Sequence, residues 1–153
     1  MSETEEYHQA LKAATHFMKI RPRSRGEVAD LLARKGFSQE VQSQILDRLE
    51  QLGLLDDKRF VEMWLYHRTE VVPRGGFIIK HELRQRKVAE ELIETLVEPC
   101  LAEAEPPAAY RLAAKKWRSL PPTSQRYAKV GNYLKSKGFS ASTIHQVLQE
   151  LSR

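Results

Sequence analysis

The residues able to carry out chemistry are few and scattered. Five histidines (His8, His16, His67, His81 and His145) stand apart from the single cysteine and are not grouped with carboxylates at metal-ligand spacing. His81-Glu82 begins like a zinc-protease helix but has no second histidine at the required position. Asp56 and Asp57 are adjacent, and consecutive helical residues point apart, so they suit helix capping better than acid–base work. The seven glycines form neither GxGxxG nor GxxxxGK, and no GxSxG elbow exists. No catalytic residue, cofactor or metal is expected, and the chain reads as a non-enzyme. Cys100 falls on an apolar stripe and reads as a small hydrophobe.

What remains is charge, and it is unevenly spread. Residues 1–105 hold 16 Lys/Arg against 19 Asp/Glu, a net of −3. Residues 106–153 hold 9 against the single Glu150, a net of +8. That asymmetry points to a polyanion or an acidic surface as partner, with a merely solvated basic face as the alternative. The candidate contacts are Arg111, Lys115, Lys116, Arg118, Arg126, Lys129, Lys135 and Lys137, with Arg68, Arg74, Lys80 and Arg84 as weaker ones. Positions 111, 115 and 118 share one helical face.

The elements that must position these cations repeat. Leu32-Ala33-Arg34-Lys35-Gly36-Phe37-Ser38 returns as Leu83 to Ala89 and again as Leu134-Lys135-Ser136-Lys137-Gly138-Phe139-Ser140. Gly36 and Gly138 are 102 residues apart, twice 51, with Lys87 midway. Apolar columns follow the same step: Val28, Ile79 and Val130; Leu32, Leu83 and Leu134; Ile45, Leu96 and Val147. Such a period marks tandem copies of one supersecondary unit.

The reading is all-α: three tandem three-helix repeats, resembling helix-turn-helix units, over residues 5–53, 54–101 and 106–153. Ser24, with Glu27 three residues on, predicts a capping box, and Ser38 a second cap. Gly36 predicts a left-handed helix end, and Lys87 in the same column would carry a penalty of about 1 kcal/mol. Asp56 or Asp57 opens helix 4, which turns Phe60, Met63 or Trp64, His67 and Val71 to one side. Phe77, Ile79 and Leu83 mark helix 5; Leu92, Leu96 and Val97 mark helix 6, stopped at Pro99. A linker spans 101–107, and Pro106 or Pro107 starts helix 7, which carries Tyr110, Ala113 or Ala114, Trp117 and Leu120. Thr123 or Ser124 caps helix 8, with Tyr127, Val130 and Leu134 inward.

The acidic N-terminus lacks a signal-type apolar run and no stretch is long enough to span a membrane, so a cytoplasmic protein is expected. Base readout by a third helix is disfavoured. Helix 6 holds Glu90, Glu91, Glu94 and Glu98 and no cation, and phosphates would repel it.

Leu54-Leu55-Asp56-Asp57-Lys58-Arg59-Phe60, then Arg68, Pro73-Arg74-Gly75 and Glu82-Leu83-Arg84-Gln85, resemble the RecX family of bacterial regulatory proteins. Pro22 to Glu27 with Leu32 to Phe37 resembles its first repeat, and Tyr133-Leu134 to Gly138-Phe139 its third. Lys87 departs from the family's usual glycine. The resemblance implies three tandem repeats in an elongated, curved array. It also implies modulation, mostly inhibition, of the RecA recombinase through the RecA–single-stranded DNA filament, in the setting of recombination, DNA repair and the SOS response. Single-stranded DNA would be met weakly or through the filament, and a monomer with no membrane partner is expected. The alternatives are a general nucleic-acid-binding helical repeat without RecA specificity, and a pure protein scaffold.

Overall fold

Ser2 opens the first helix by accepting a hydrogen bond from Glu5 N (3.2 Å), with Glu3, Glu5 and Glu6 placed where the helix dipole favours acids. The computed structural model describes residues 2–153, and among them every regular element is helical. These are α1 (Glu3–Ile20), α2 (Arg25–Arg34), α3 (Gln39–Gln51) and α4 (Asp57–Tyr66), the last running on into a π turn over His67–Val71. α5 (Gly76–Gln85) follows, then α6 (Glu90–Leu92), which continues through a π turn (Ile93–Val97) into α7 (Glu98–Ser119). α8 (Arg126–Ser136) and α9 (Ala141–Leu151) complete the order. None of these helices is long and apolar enough to cross a membrane.

The chain divides into two compact units, Met1–Phe60 with Arg84–Glu90, and Val61–Leu83 with Glu91–Arg153. In the first, Ala10 and Ala14 of α1, Val28 and Leu32 of α2, and Val41, Ile45 and Leu49 of α3 close one core. Alanines on α1 let the three helices approach closely. In the second, Ala108, Ala109 and Ala113 of α7 play the same part against Val130, Leu134, Val147 and Leu148. The column residues Val28, Ile79 and Val130, and Leu32, Leu83 and Leu134, are all fully buried.

Three of the predicted caps are present. Ser24 forms the full capping box with Glu27, Ser38 accepts from Val41 N, and Asp56 accepts from Arg59 N (3.1 Å). Gly36 (φ 85°), Gly138 (φ 90°) and Lys87 (φ 63°) share the left-handed conformation at the repeated turn.

Those turns have a second use. In the first unit Ser24 Oγ donates to Arg86 O, and Gly26 lies against Lys87 so closely that a Cβ would fall under 3.0 Å from Lys87 Cβ and O. In the second, Gly75 N donates to Lys137 O (2.8 Å) and Phe77 N to Gly138 O (3.2 Å). Position 24 stands to 86 as 75 stands to 137, each pair 62 residues apart. The start of one repeat's middle helix therefore seats on the turn of the next repeat. This joint explains why the turn keeps one backbone conformation even where glycine is absent. Around it, Asp57 accepts from Arg25 N (2.7 Å), and burial pushes its carboxyl pKa up.

Several expectations require correction. On α4 the buried side is Phe60, Val61, Leu65 and Thr69, whereas Met63, His67 and Val71 face outward and Trp64 is half-buried. The π turn at His67–Val71 re-phases the helix, so a 3.6-residue stripe drawn through it loses register. Phe77 is exposed at 67%, because position 77 lies at the joint and uses its backbone N–H. Tyr110 and Tyr127 are likewise exposed. In the third helix of repeat 2, Ile93 and Val97 are buried while Leu92 and Leu96 are half-buried, again across a π turn.

Pro99 stops nothing: it sits in the first turn of α7, where its missing N–H costs little. Residues 101–107 are helix rather than linker. Leu101-Ala102-Glu103-Ala104-Glu105 is strongly helix-forming, and Pro106 and Pro107 stand inside α7. Glu105 helps to hold this stretch by accepting from Gly76 N (2.7 Å), Ser140 Oγ (3.2 Å) and Thr143 Oγ1 (2.7 Å). Buried Leu101, Ala108 and Ala109 further offset the backbone bonds the prolines cannot make. Finally, Gln125 is the N-cap residue of α8 and makes no side-chain cap; Thr123 accepts from Gln125 N one turn earlier.

Candidate nucleic-acid interface

The candidate cations separate by what holds them. Those of repeat 2 are bound within the fold. Arg68 pairs with Glu82 (2.5 Å), both largely buried, and the same carboxylate receives Trp64 Nε1 (3.4 Å). Lys80 meets Glu98 (2.7 Å) and Arg84 meets Glu90 (2.5 Å). Arg74 donates to Pro73 O. Acidic residues are plentiful in this part of the chain, so each of these lysines and arginines but Arg74 finds a carboxylate nearby.

Repeat 3 has no such supply, because Glu150 is its only acid. Arg111 reaches back to Thr69 O and stands 3.7 Å from Glu70. Among the described residues no ion pair involves Lys115, Lys116, Arg118, Arg126, Lys129, Lys135 or Lys137. Lys115, Arg118, Lys129 and Lys135 are exposed. The spacing of 111, 115 and 118 keeps those three on the outer face of α7, opposite buried Ala109 and Ala113.

The other three cations rest on aromatic rings. Arg126 Cζ lies 3.9 Å from the centroid of Trp117. Lys116 Nζ and Lys137 Nζ lie 5.1 Å and 5.5 Å from the centroid of Tyr133. Sequence reasoning placed Trp117 in the core and gave Tyr133 no contact role. Both are half-buried and line the seam between α7 and α8. The available signal was interleaving: Trp117 lies between Lys116 and Arg118, and Tyr133 four residues before Lys137. Positions 126, 129 and 133 of α8 form one stripe that leads to Lys137, the residue just past its end, so exposed Lys129 joins the seam. Chemically, the arrangement offers several ammonium and guanidinium groups without counter-charge and two rings beside them. It suits phosphates and flat apolar surfaces rather than any bond-making reaction.

Comparison with known proteins gives the architecture a lineage. Family models for the first, second and third three-helix domains of RecX match residues 10–49, 56–96 and 105–148 in tandem. The regulatory protein RecX of Prosthecochloris aestuarii is 35% identical over 144 residues, covering 94% of this chain and 93% of that protein. The regulatory protein RecX of Geobacillus sp. WCH70 is 32% identical across 93% of this chain, which spans only 52% of that longer relative. The crystal structure of RecX from Lactobacillus salivarius shares the fold, with a TM-score of 0.84, 23% identity and coverage of 97% and 98% of the two chains. Tandem three-helix domains in the right order, on a likeness that runs nearly end to end, place this chain in the RecX family of regulatory proteins.

Proposed function

We propose that this protein modulates RecA, mostly by inhibition, through binding the RecA–single-stranded DNA filament with the basic surface of repeat 3 against it. The observation that carries this reading is the contrast between repeats. Three of the four repeat 2 candidates are paired with carboxylates, whereas seven cations of repeat 3 have none among the described residues. Cations without partners beside a long polyanion release its counterions and bind with strong salt dependence. The family's role supplies RecA as the target, and a cytoplasmic monomer acting without chemistry of its own fits that role.

The decisive assay is RecA ATPase and strand exchange, with and without this protein. Inhibition at substoichiometric protein, with weak affinity for naked single strands, supports the reading. Charge reversal at Lys115, Lys116 and Lys129 should abolish the inhibition, and unchanged inhibition by that variant overturns the assignment of repeat 3. The unpartnered cations also favour a second reading, a nucleic-acid-binding repeat without RecA specificity. In that case naked DNA would bind well, with about six phosphate contacts losing ~10³-fold affinity between 50 and 200 mM salt.

A further inference from the structure

The seam between α7 and α8 is more specific than a positive patch. Lys116 and Lys137 converge on the single ring of Tyr133, so their ammonium nitrogens stand at most 10.6 Å apart, the 5.1 Å and 5.5 Å distances laid end to end. That is close to the Debye length of about 8 Å at physiological salt, and among the described residues neither lysine forms an ion pair that would relieve the repulsion. One helix end away, Arg126 lies against Trp117. Arg126 and Tyr133 are seven residues apart on α8, roughly 10 Å along its axis, the length of about three stacked nucleotides. Exposed Lys129 stands between them on the same stripe.

We infer that this seam is a binding site for single-stranded nucleic acid. Lys116, Lys129 and Lys137 would neutralise phosphates, while Trp117 with its stacked Arg126 and the ring of Tyr133 would take unpaired bases. The inference deepens the reading above and rests on repeat 3 being the nucleic-acid face. A duplex could satisfy the lysines but keeps its bases stacked inside, so only a single strand gains from the rings. Every base has a flat face, so the rings accept any base. Binding is therefore tolerant of sequence.

The test uses the full chain without RecA, titrated with a single-stranded oligothymidylate and with a duplex of the same length. Trp117→Leu and Tyr133→Leu should each weaken single-strand binding about five- to a hundredfold, leave duplex binding within twofold and leave the salt slope unchanged. Tyr133→Phe, which keeps the ring, should retain the affinity. Lys116→Glu with Lys137→Glu should weaken both forms and flatten the salt slope. Should the leucine variants lose helicity, Trp64→Phe isolates Trp117 as the only tryptophan, and its emission should be quenched by the single strand alone. Equal loss for single strand and duplex, or no quenching, overturns the stacking site. If charge reversal weakens binding while the ring variants do not, the stacking site falls and the basic-face reading stands. If charge reversal has no effect on DNA or on RecA, the basic-face reading itself falls.

Discussion

Replacing Gly26 with alanine probes the joint between repeats most directly. A Cβ at Gly26 would sit under 3.0 Å from both the Cβ and the carbonyl oxygen of Lys87, a spacing that real side-chain carbons do not reach. One obstacle is backbone, so no rotamer change can clear it, and overpacking should cost about 2–3 kcal/mol. For a chain of this size that lowers Tm by roughly 5–10 °C. Lys87 itself adopts φ 63°, where a side chain costs about 1 kcal/mol relative to glycine, so Lys87→Gly should stabilise the protein by about that amount. In the double variant the alanine still meets the carbonyl oxygen but no longer the Lys87 Cβ. Gly26→Ala should therefore cost about 1 kcal/mol less in the Lys87→Gly background than alone. Urea or thermal unfolding of the four proteins, followed by helix ellipticity, reads the whole cycle. Strict additivity, or a Gly26→Ala variant as stable as the parent, would refute the reasoning that this joint is tightly closed and sterically set by position 87.

Three other outcomes follow from the same structure. Gly75→Ala would drive a Cβ into the backbone of Gly138, whereas Gly36→Ala meets open space and pays only for its left-handed φ. Unfolding experiments should therefore show a loss of about 3 kcal/mol or more for Gly75→Ala and about 1 kcal/mol for Gly36→Ala. Removing the carboxylate with Glu82→Ala strands a largely buried Arg68 and should cost about 3 kcal/mol, visible as a lower urea midpoint. Two carboxyls should give opposite pH signatures. The Ser38 backbone N–H holds the Glu6 pKa below its usual value, so its contribution is present above the unfolded value and lost as pH falls through the folded one. Burial raises the Asp57 pKa, so its contribution is full below the unfolded value and fades as pH rises through the folded one. Urea midpoints at several pH values between 2 and 7 should therefore show Glu6→Gln closing on the parent as pH falls, and Asp57→Asn falling behind it.

Much of this molecule could be read without coordinates, because its information is local. Ser24 with Glu27 at capping-box spacing and Gly36 at the helix end act through neighbours a few residues away. So does the helical spacing of the apolar residues within each copy, and its recurrence every 51 residues marks the fully buried sets at 28, 79 and 130 and at 32, 83 and 134. The charge of repeat 3 was equally open to view, since nine Lys/Arg cannot all pair with the single acid Glu150. The failures share one cause: they depend on partners distant in the chain. Residues 101–107 looked like a linker because two prolines argue locally for a break. Only Glu105, held by Gly76, Ser140 and Thr143, reveals why the helix continues. The outward turn of Val71 depends on a π turn that no propensity announces.

The sequence by itself determined the number of helical repeats, through a 51-residue recurrence, and most of their caps and the sign of the surface, which are properties of nearby residues. Tertiary structure decided which cations remain without partners, because Arg68 and Lys80 are matched by carboxylates 14 and 18 residues away. It also decided that the repeated turn is a joint, since that needs a donor and a carbonyl oxygen 62 residues apart to meet, Ser24 Oγ on Arg86 O and Gly75 N on Lys137 O. And it turned Trp117 from a core aromatic, and Tyr133 from a residue with no assigned contact, into ring partners of Arg126, Lys116 and Lys137, through the packing of α7 on α8.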